Sequence, residues 1–245
     1  MYHFFVEQNQ ISDTHIMITG SDVNHIKNVL RMKEGEEIMI SNPNGWDYYC
    51  TISQICDDNV KAKISFIEEA GHELPSKIFL FQGLPKGDKM ELIIQKAVEL
   101  GVFEIIPVSM KRSVVKLDKK KEESKRKRWN AISESAAKQS KRSVIPNVHQ
   151  VLSFKEALQY AKQLDMVLIP YEMAKGMEQT KKLLGQMKEK KTIGIFIGPE
   201  GGFGEEEISL AKEQEFAPIT LGKRILRTET AAITALSIIM FQLEE

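Results

Sequence analysis

The chain has 245 residues, 42% hydrophobic and 28% charged, with 34 Lys and Arg balanced by 34 Asp and Glu. This composition excludes disordered and collagen-like classes and suits one large globular domain or two modest ones. It also lacks any apolar run of the ~18–20 residues needed to span a bilayer. A zero net charge argues on its face against a nucleic-acid partner, yet it is a cancellation: residues 1–74 carry −7, 75–110 carry 0, 111–142 carry +9 and 143–245 carry −2. The first residues do not open a signal peptide, so a cytoplasmic protein is expected. Cys50 and Cys56 have no His or further Cys at ligand spacing; they read as reduced packing residues, and no metal is expected.

Residues 2–69 follow a period of two, which predicts strands at 2–6, 15–19, 37–41, 47–56 and 60–67. Asn42-Pro43-Asn44-Gly45 and Asp57-Asp58-Asn59 supply turns. Only residues 21–30 read as a helix, with Ser21 as N-cap. The reading is a small β-barrel carrying one helix. The pattern breaks between Ala70 and Pro75, which places a domain boundary there and gives domains 1–74 and 75–245.

Beyond the boundary, strand and helix alternate. An apolar strand at 77–84 leads to a helix at 88–100, whose Met90, Ile93, Ile94, Ala97 and Val98 form an i, i+3, i+4 stripe stopped by Gly101. Strands follow at 102–108, 165–169, 192–197 and 219–221. Helices lie near 118–140, 153–163 (opened by a Ser153…Glu156 capping box), 177–190, 204–215 and 229–243. Such alternation predicts an α/β domain with a parallel sheet covered on both faces and ligand sites at the carboxyl ends of its strands.

Two loops at such ends carry unusual chemistry. Gly198-Pro199-Glu200-Gly201-Gly202-Phe203-Gly204 has the glycines of a ligand-binding loop, but neither dinucleotide nor P-loop spacing. Glu205-Glu206-Glu207 then opens a helix and would repel phosphate, so a phosphate-free or cationic ligand fits better. A plain tight turn remains the structural alternative. In Leu221-Gly222-Lys223-Arg224-Ile225-Leu226-Arg227-Thr228-Glu229, Thr228 reads as N-cap and Glu229 as a first-turn acid. Three cations beside a helix N-terminus are unfavourable and point to an anionic partner, the alternative being a solvated loop. The last helix has almost no polar face, which predicts burial all round, within one subunit or at a subunit interface.

These two loops, with Val29-Leu30-Arg31, Lys86-Gly87-Asp88-Lys89-Met90-Glu91, Lys96-Ala97-Val98-Glu99-Leu100-Gly101 and Gln139-Ser140-Lys141-Arg142, closely resemble the RsmE family, the ribosomal RNA small subunit methyltransferase E proteins. The likeness runs over nearly the whole chain. It implies an N-terminal PUA-like β-barrel joined to a SPOUT α/β-knot, a parallel sheet whose C-terminal chain threads a trefoil knot around S-adenosylmethionine. It further implies a homodimer that methylates N3 of a uridine in small-subunit (16S) rRNA, free or in the assembled particle. Alternation alone would have given an unknotted sheet.

By the same resemblance the cofactor rests on three loops: Ile169, Pro170 and Tyr171; Ile197, Gly198, Pro199, Glu200, Gly201 and Gly202; and Leu221, Gly222, Ile225, Leu226 and Thr228. N3 of uracil reacts only as its proton leaves, which calls for a base or for stabilisation of the anionic ring. Arg227 is the first candidate for that stabilisation and Arg112 the second, with Glu229 or Glu200 to take the proton. The +9 stretch, with Lys125, Arg126, Lys127 and Arg128 on a helix, is the expected rRNA phosphate contact. Arg112 and Arg142 accompany it, and Lys27 and Arg31 form the cationic face of the acidic barrel. Two other classes compete: a nucleotide- or NAD-dependent enzyme, disfavoured by the absent fingerprints, and a non-catalytic rRNA-binding ribosome-assembly factor, which would need no glycine loop.

Overall fold

The computed structural model describes residues 1–69, 71–174 and 176–244. The chain forms two compact units, Met1–Glu73 with Ala137–Val144, and Leu74–Ala136 with Ile145–Glu245. Besides the expected break near residue 74, the first unit thus takes in a short segment from much later in the chain. Among the described residues, no helix is long and apolar enough to cross a membrane.

In the first unit, β1 (Tyr2–Phe5), β2 (His15–Thr19), α1 (Ser21–Asn24), β3 (Glu37–Ser41), β4 (Trp46–Ile55) and β5 (Asn59–Glu69) follow the expected order. The sheet runs β1-β3-β4-β5-β2, antiparallel except for β1 beside β3. Period-two side chains Ile16 and Ile18, Ile38 and Ile40, Cys50 and Ile52, and Val60 and Ala62 fill its core with Phe4. Burial pushes the Cys50 thiol up to about 12, leaving it a packing group without thiolate character.

The helix expected at 21–30 is interrupted. Gly20, at φ +75°, is the N-cap and Ser21 the first helical residue; α1 makes one turn before a wider π turn over His25–Val29. Arg31, at φ +54°, ends it where glycine or asparagine would be usual.

A buried polar network ties residues 137–144 to this sheet. His3 Nε2 lies 2.7 Å from Ser41 Oγ, and the Ser41 hydroxyl donates to Asp47. The Ser143 hydroxyl donates to the other Asp47 oxygen at 3.0 Å. Arg142 donates to Glu73 through Nε at 3.1 Å and also through Nη2. Burial lowers His3 to about 4, overriding the nearby Asp47 charge, so its imidazole is neutral at pH 7.

The second unit contains β6 (Lys77–Gly83), α2 (Lys89–Glu99), β7 (Val102–Ser109), α3 (Lys119–Gln139, whose last residues belong to the first unit), β8 (Asn147–Val148), β9 (Leu152–Ser153), α4 (Phe154–Ala161), β10 (Met166–Pro170), α5 (Met177–Gly185), β11 (Thr192–Ile197), α6 (Glu205–Glu213), β12 (Ala217–Ile219) and α7 (Thr228–Leu243). Every pairing is parallel, in the order β12-β10-β11-β6-β7-β8, with β9 also beside β7. All five stripe residues of α2 are buried, and Gly101 stops the helix at φ +87°. The Ser153–Glu156 capping box forms as expected.

One expectation shifts. The last strand ends at Ile219 rather than Leu221, because Thr220 Oγ1 bonds both the amide and the carbonyl of Gly222 at 3.2 Å and turns the chain aside. Within this one subunit α7 is buried on one side. Ala232, Ala235, Leu236, Ile239 and Leu243 face the core, while Ile238 and Phe241 are exposed, Phe241 by 71%.

Candidate functional site

The loops after β10, β11 and β12 meet around a cavity of ≈ 400 Å³ at the carboxyl ends of these strands. Pro170 and Tyr171, residues 197–203, and Thr220, Leu221, Gly222 and residues 224–228 line it, with Lys89 of α2 and Ala231 of α7. Every residue expected on the cofactor side is therefore present except Ile169, which is buried in the sheet core.

Missing side chains shape the cavity wall. A Cβ on Gly83, the last residue of β6, would lie 2.6 Å from both Cδ and N of Pro199, so the glycine loop rests directly on this strand end. A Cβ on Gly201 would come 2.9 Å from Cβ of Arg112, whose Nη1 donates to the Gly201 carbonyl at 2.9 Å. Gly202 turns at φ +67°, in the left-handed region open to glycine. Arg112 thus clamps the loop and is not among the cavity-lining residues.

Thr228 does not cap α7, a position held by Arg227. Its hydroxyl instead donates to the Gly198 carbonyl at 2.7 Å and accepts from Gln82 Nε2 at 2.9 Å. One buried hydroxyl therefore joins the end of β6, the glycine loop and the start of the last helix. The glutamates after the glycine loop also have structural partners. Glu207 accepts from the Gly204 amide at 2.7 Å and the Lys111 amide at 2.8 Å, and Glu206 pairs with Lys111 at 2.9 Å.

Charge within the cavity is organised by Lys89. Its ammonium lies 2.9 Å from Glu200 Oε1, which also accepts the Lys86 amide at 3.1 Å, and 3.5 Å from Glu229 Oε2. Burial alone would raise the Glu200 carboxyl, but Lys89 and the backbone amides hold it below the usual carboxylate range. The hydrogen bond to Glu200 in turn raises Lys89. Glu229 is not a lining residue, whereas Arg224 and Arg227 are. Lys223, Arg224 and Arg227 are exposed and make no ion pair among the described residues, although the α7 N-terminus disfavours cations.

The expected RNA contacts divide. Arg142 is buried against Glu73 and cannot reach a phosphate; residue spacing gave no sign of that burial. Lys27 is held by Asp57 and the Cys56 carbonyl, both at 3.0 Å, whereas Arg31 is exposed. Arg128 pairs with Glu91 at 2.7 Å, Lys127 with Glu123 at 3.1 Å, and Lys125 lies 6.0 Å over the Trp129 ring. Arg126 has no side-chain partner among the described residues. Sequence reasoning missed Lys89, Phe203, Thr220 and Ala231 as lining residues. For Lys89 the signal was available, since Lys86-Gly87-Asp88-Lys89 follows a strand that the parallel order puts beside β11.

A backbone-walled cavity at the ends of parallel strands, rimmed by cations that make no ion pair among the described residues, suits a small ligand beside an anionic substrate, and the families that the chain matches give the class, an RNA methyltransferase. The RNA methyltransferase domain family matches residues 72–240, and the RNA methyltransferase PUA domain family matches residues 18–65. The chain is 39% identical over its full length to ribosomal RNA small subunit methyltransferase E of Bacillus subtilis, covering 98% of that protein. It is 37% identical to the protein of the same name from Mesomycoplasma hyopneumoniae, over 97% of this chain and 98% of that one. The crystal structure of the Neisseria gonorrhoeae ribosomal RNA small subunit methyltransferase E bound to S-adenosylmethionine superposes with a TM-score of 0.83 at 30% identity, covering 98% of this chain and 97% of that one. The chain belongs to the ribosomal RNA small subunit methyltransferase E family.

Proposed function

We propose that this enzyme transfers the methyl group of S-adenosylmethionine to N3 of a uridine in small-subunit ribosomal RNA, acting as a cytoplasmic homodimer. The observation that carries the reading is the ≈ 400 Å³ cavity, walled by backbone of three strand-end loops and rimmed by Arg224 and Arg227. Its volume lies within the ~300–1,000 Å³ usual for cofactor sites. The cofactor fits the donor set: Gly202, with open space where a Cβ would stand, lets a flat, phosphate-free ligand approach the backbone, and Glu200 suits a ligand that carries positive charge. When bound, it supplies a methyl group activated by a sulfonium.

This chain's own residues supply the rest. Arg227, with Arg224, balances the charge that gathers on the uracil oxygens as the N3 proton leaves. Glu200, in the cavity wall and kept ionised by Lys89, is better sited than Glu229 to receive that proton. Arg112 positions the glycine loop through Gly201. Phe241, Ile238 and Ile225, exposed on the cofactor-bearing unit, support the dimer. The knot belongs to the same reading, supported by the strand order and by α7 returning from β12 to pack against α2.

The test joins calorimetry to activity. Saturable binding of S-adenosylmethionine but not NADH, and methyl transfer to purified small subunits or naked rRNA, are expected. Binding of rRNA with no affinity for S-adenosylmethionine would instead return the non-catalytic assembly factor.

A further inference from the structure

The basic run of α3 does not form one patch. Its helical spacing turns Lys125 toward Trp129 and Arg128 toward Glu91 of α2, so these two cations are directed at the protein. Arg126 and Lys127 instead line an open hollow of ≈ 740 Å³ between α3 and residues 145–150. Lys127 keeps its pair with Glu123, but with 76% and 61% of the two side chains exposed, such a pairing is readily exchanged for another anion.

Asn147, His149 and Gln150 form the opposite wall. His149 also lines a second hollow of ≈ 540 Å³, together with Gln159, Tyr160, Lys162 and Gln163. The His149 ring meets Tyr160 edge-on at 5.9 Å, and its Nδ1 lies 2.9 Å from the Gln150 carbonyl. The Tyr160 hydroxyl donates to Glu104 at 2.6 Å and Asn147 Nδ2 donates to the same carboxylate at 2.9 Å, so both side chains stand on a fixed base. Of the acids nearby, Glu156 caps α4 through Ser153, and Glu134 lines the first hollow. The trough runs along the β8–β9 edge of the sheet, whereas the methyl-transfer cavity lies at the ends of β10, β11 and β12.

Cations spaced along a channel, amide side chains and two ring systems make up the chemistry that holds an unpaired RNA strand: phosphates meet the cations, base edges the amides, and base faces the rings. An amphipathic peptide would need an apolar floor, which the first hollow, with its amides and charges, does not offer. We propose that this trough binds a single-stranded segment of the substrate RNA, holding it apart from the nucleotide that enters the cavity. The proposal rests on the reading that the enzyme acts on rRNA.

The test uses the full-length enzyme and small-subunit rRNA. Replacing Arg126 and Lys127 together by Gln should lower the slope of log affinity against log salt by about 1.4, because each single-strand phosphate that a cation no longer neutralises removes about 0.7. His149→Ala should raise the KM for rRNA by about tenfold through weaker stacking. Neither change should alter affinity for S-adenosylmethionine. An unchanged salt slope and KM, in a protein whose wild type binds and methylates rRNA, would overturn the trough. A wild type that neither binds nor methylates rRNA would instead overturn the functional reading beneath it, and the trough with it.

Discussion

The hydroxyl of Thr228 is the smallest group on which the glycine loop depends, and Thr228→Val removes it without changing the shape of the side chain. Two buried bonds go with it, 2.7 Å to the Gly198 carbonyl and 2.9 Å from Gln82 Nε2. The Gln82 amide keeps its 2.8 Å bond to the Gly83 carbonyl, whereas the Gly198 carbonyl is deprived of the side-chain donor it has among the described residues. An unsatisfied buried polar group costs about 1–3 kcal/mol, so removing both bonds should cost about 2–4 kcal/mol. For a protein of this size that corresponds to a fall in Tm of roughly 5–10 °C. Because the freed loop is the cavity wall, the dissociation constant for S-adenosylmethionine should rise by at least about tenfold, equal to ~1.4 kcal/mol. Calorimetric titration and thermal unfolding of wild type, Thr228→Val and Thr228→Ser separate the possibilities. Serine, which keeps the hydroxyl, should restore most of the affinity. Wild-type cofactor affinity and Tm in Thr228→Val would refute the latch.

Gly83→Ala tests the seat beneath the same loop. With its new Cβ only 2.6 Å from Pro199, overpacking of about 1–3 kcal/mol should move the loop and weaken S-adenosylmethionine binding by calorimetry, and wild-type affinity would count against this seating. His3 gives a pH prediction. Its folded value of about 4 lies below the 6.5 of the unfolded chain, so its contribution is complete above pH 6.5 and is lost as pH falls toward 4. Between pH 7 and pH 5 this one group should remove about 2 kcal/mol, at 1.36 kcal/mol per unit. Urea unfolding of His3→Gln should show a correspondingly smaller difference between those two pH values, and an equal one would rule the assignment out.

Elements set by local pattern were legible in the sequence. Alternating isoleucines marked β2 and β3, the α2 stripe and Gly101 bounded their helix, and the glycine loop, picked out by its composition, lines the cavity. What the sequence concealed depends on partners distant along the chain. Thr228 has the residue type and position of an N-cap, and only the arrival of Gly198 and Gln82 gives its hydroxyl other work. Arg142 belongs to a basic run by composition, yet Glu73 neutralises it in a buried pair. The four cations of residues 125–128 look equivalent in a string, but a helix turns successive residues by ~100° and sends them to different neighbours. Net charge therefore located the basic segment and could not say which of its cations are free.

Methylation at uridine N3 is most directly tested by finding the methyl group. Small-subunit rRNA incubated with the enzyme and S-adenosylmethionine should yield 3-methyluridine on nucleoside mass spectrometry. It should also give one new reverse-transcription stop, because a methyl on N3 blocks the Watson–Crick edge. That single stop is expected at a uridine and depends on both enzyme and cofactor. A methyl group on a ribose oxygen or another base, or no incorporation into rRNA or assembled subunits, would contradict it.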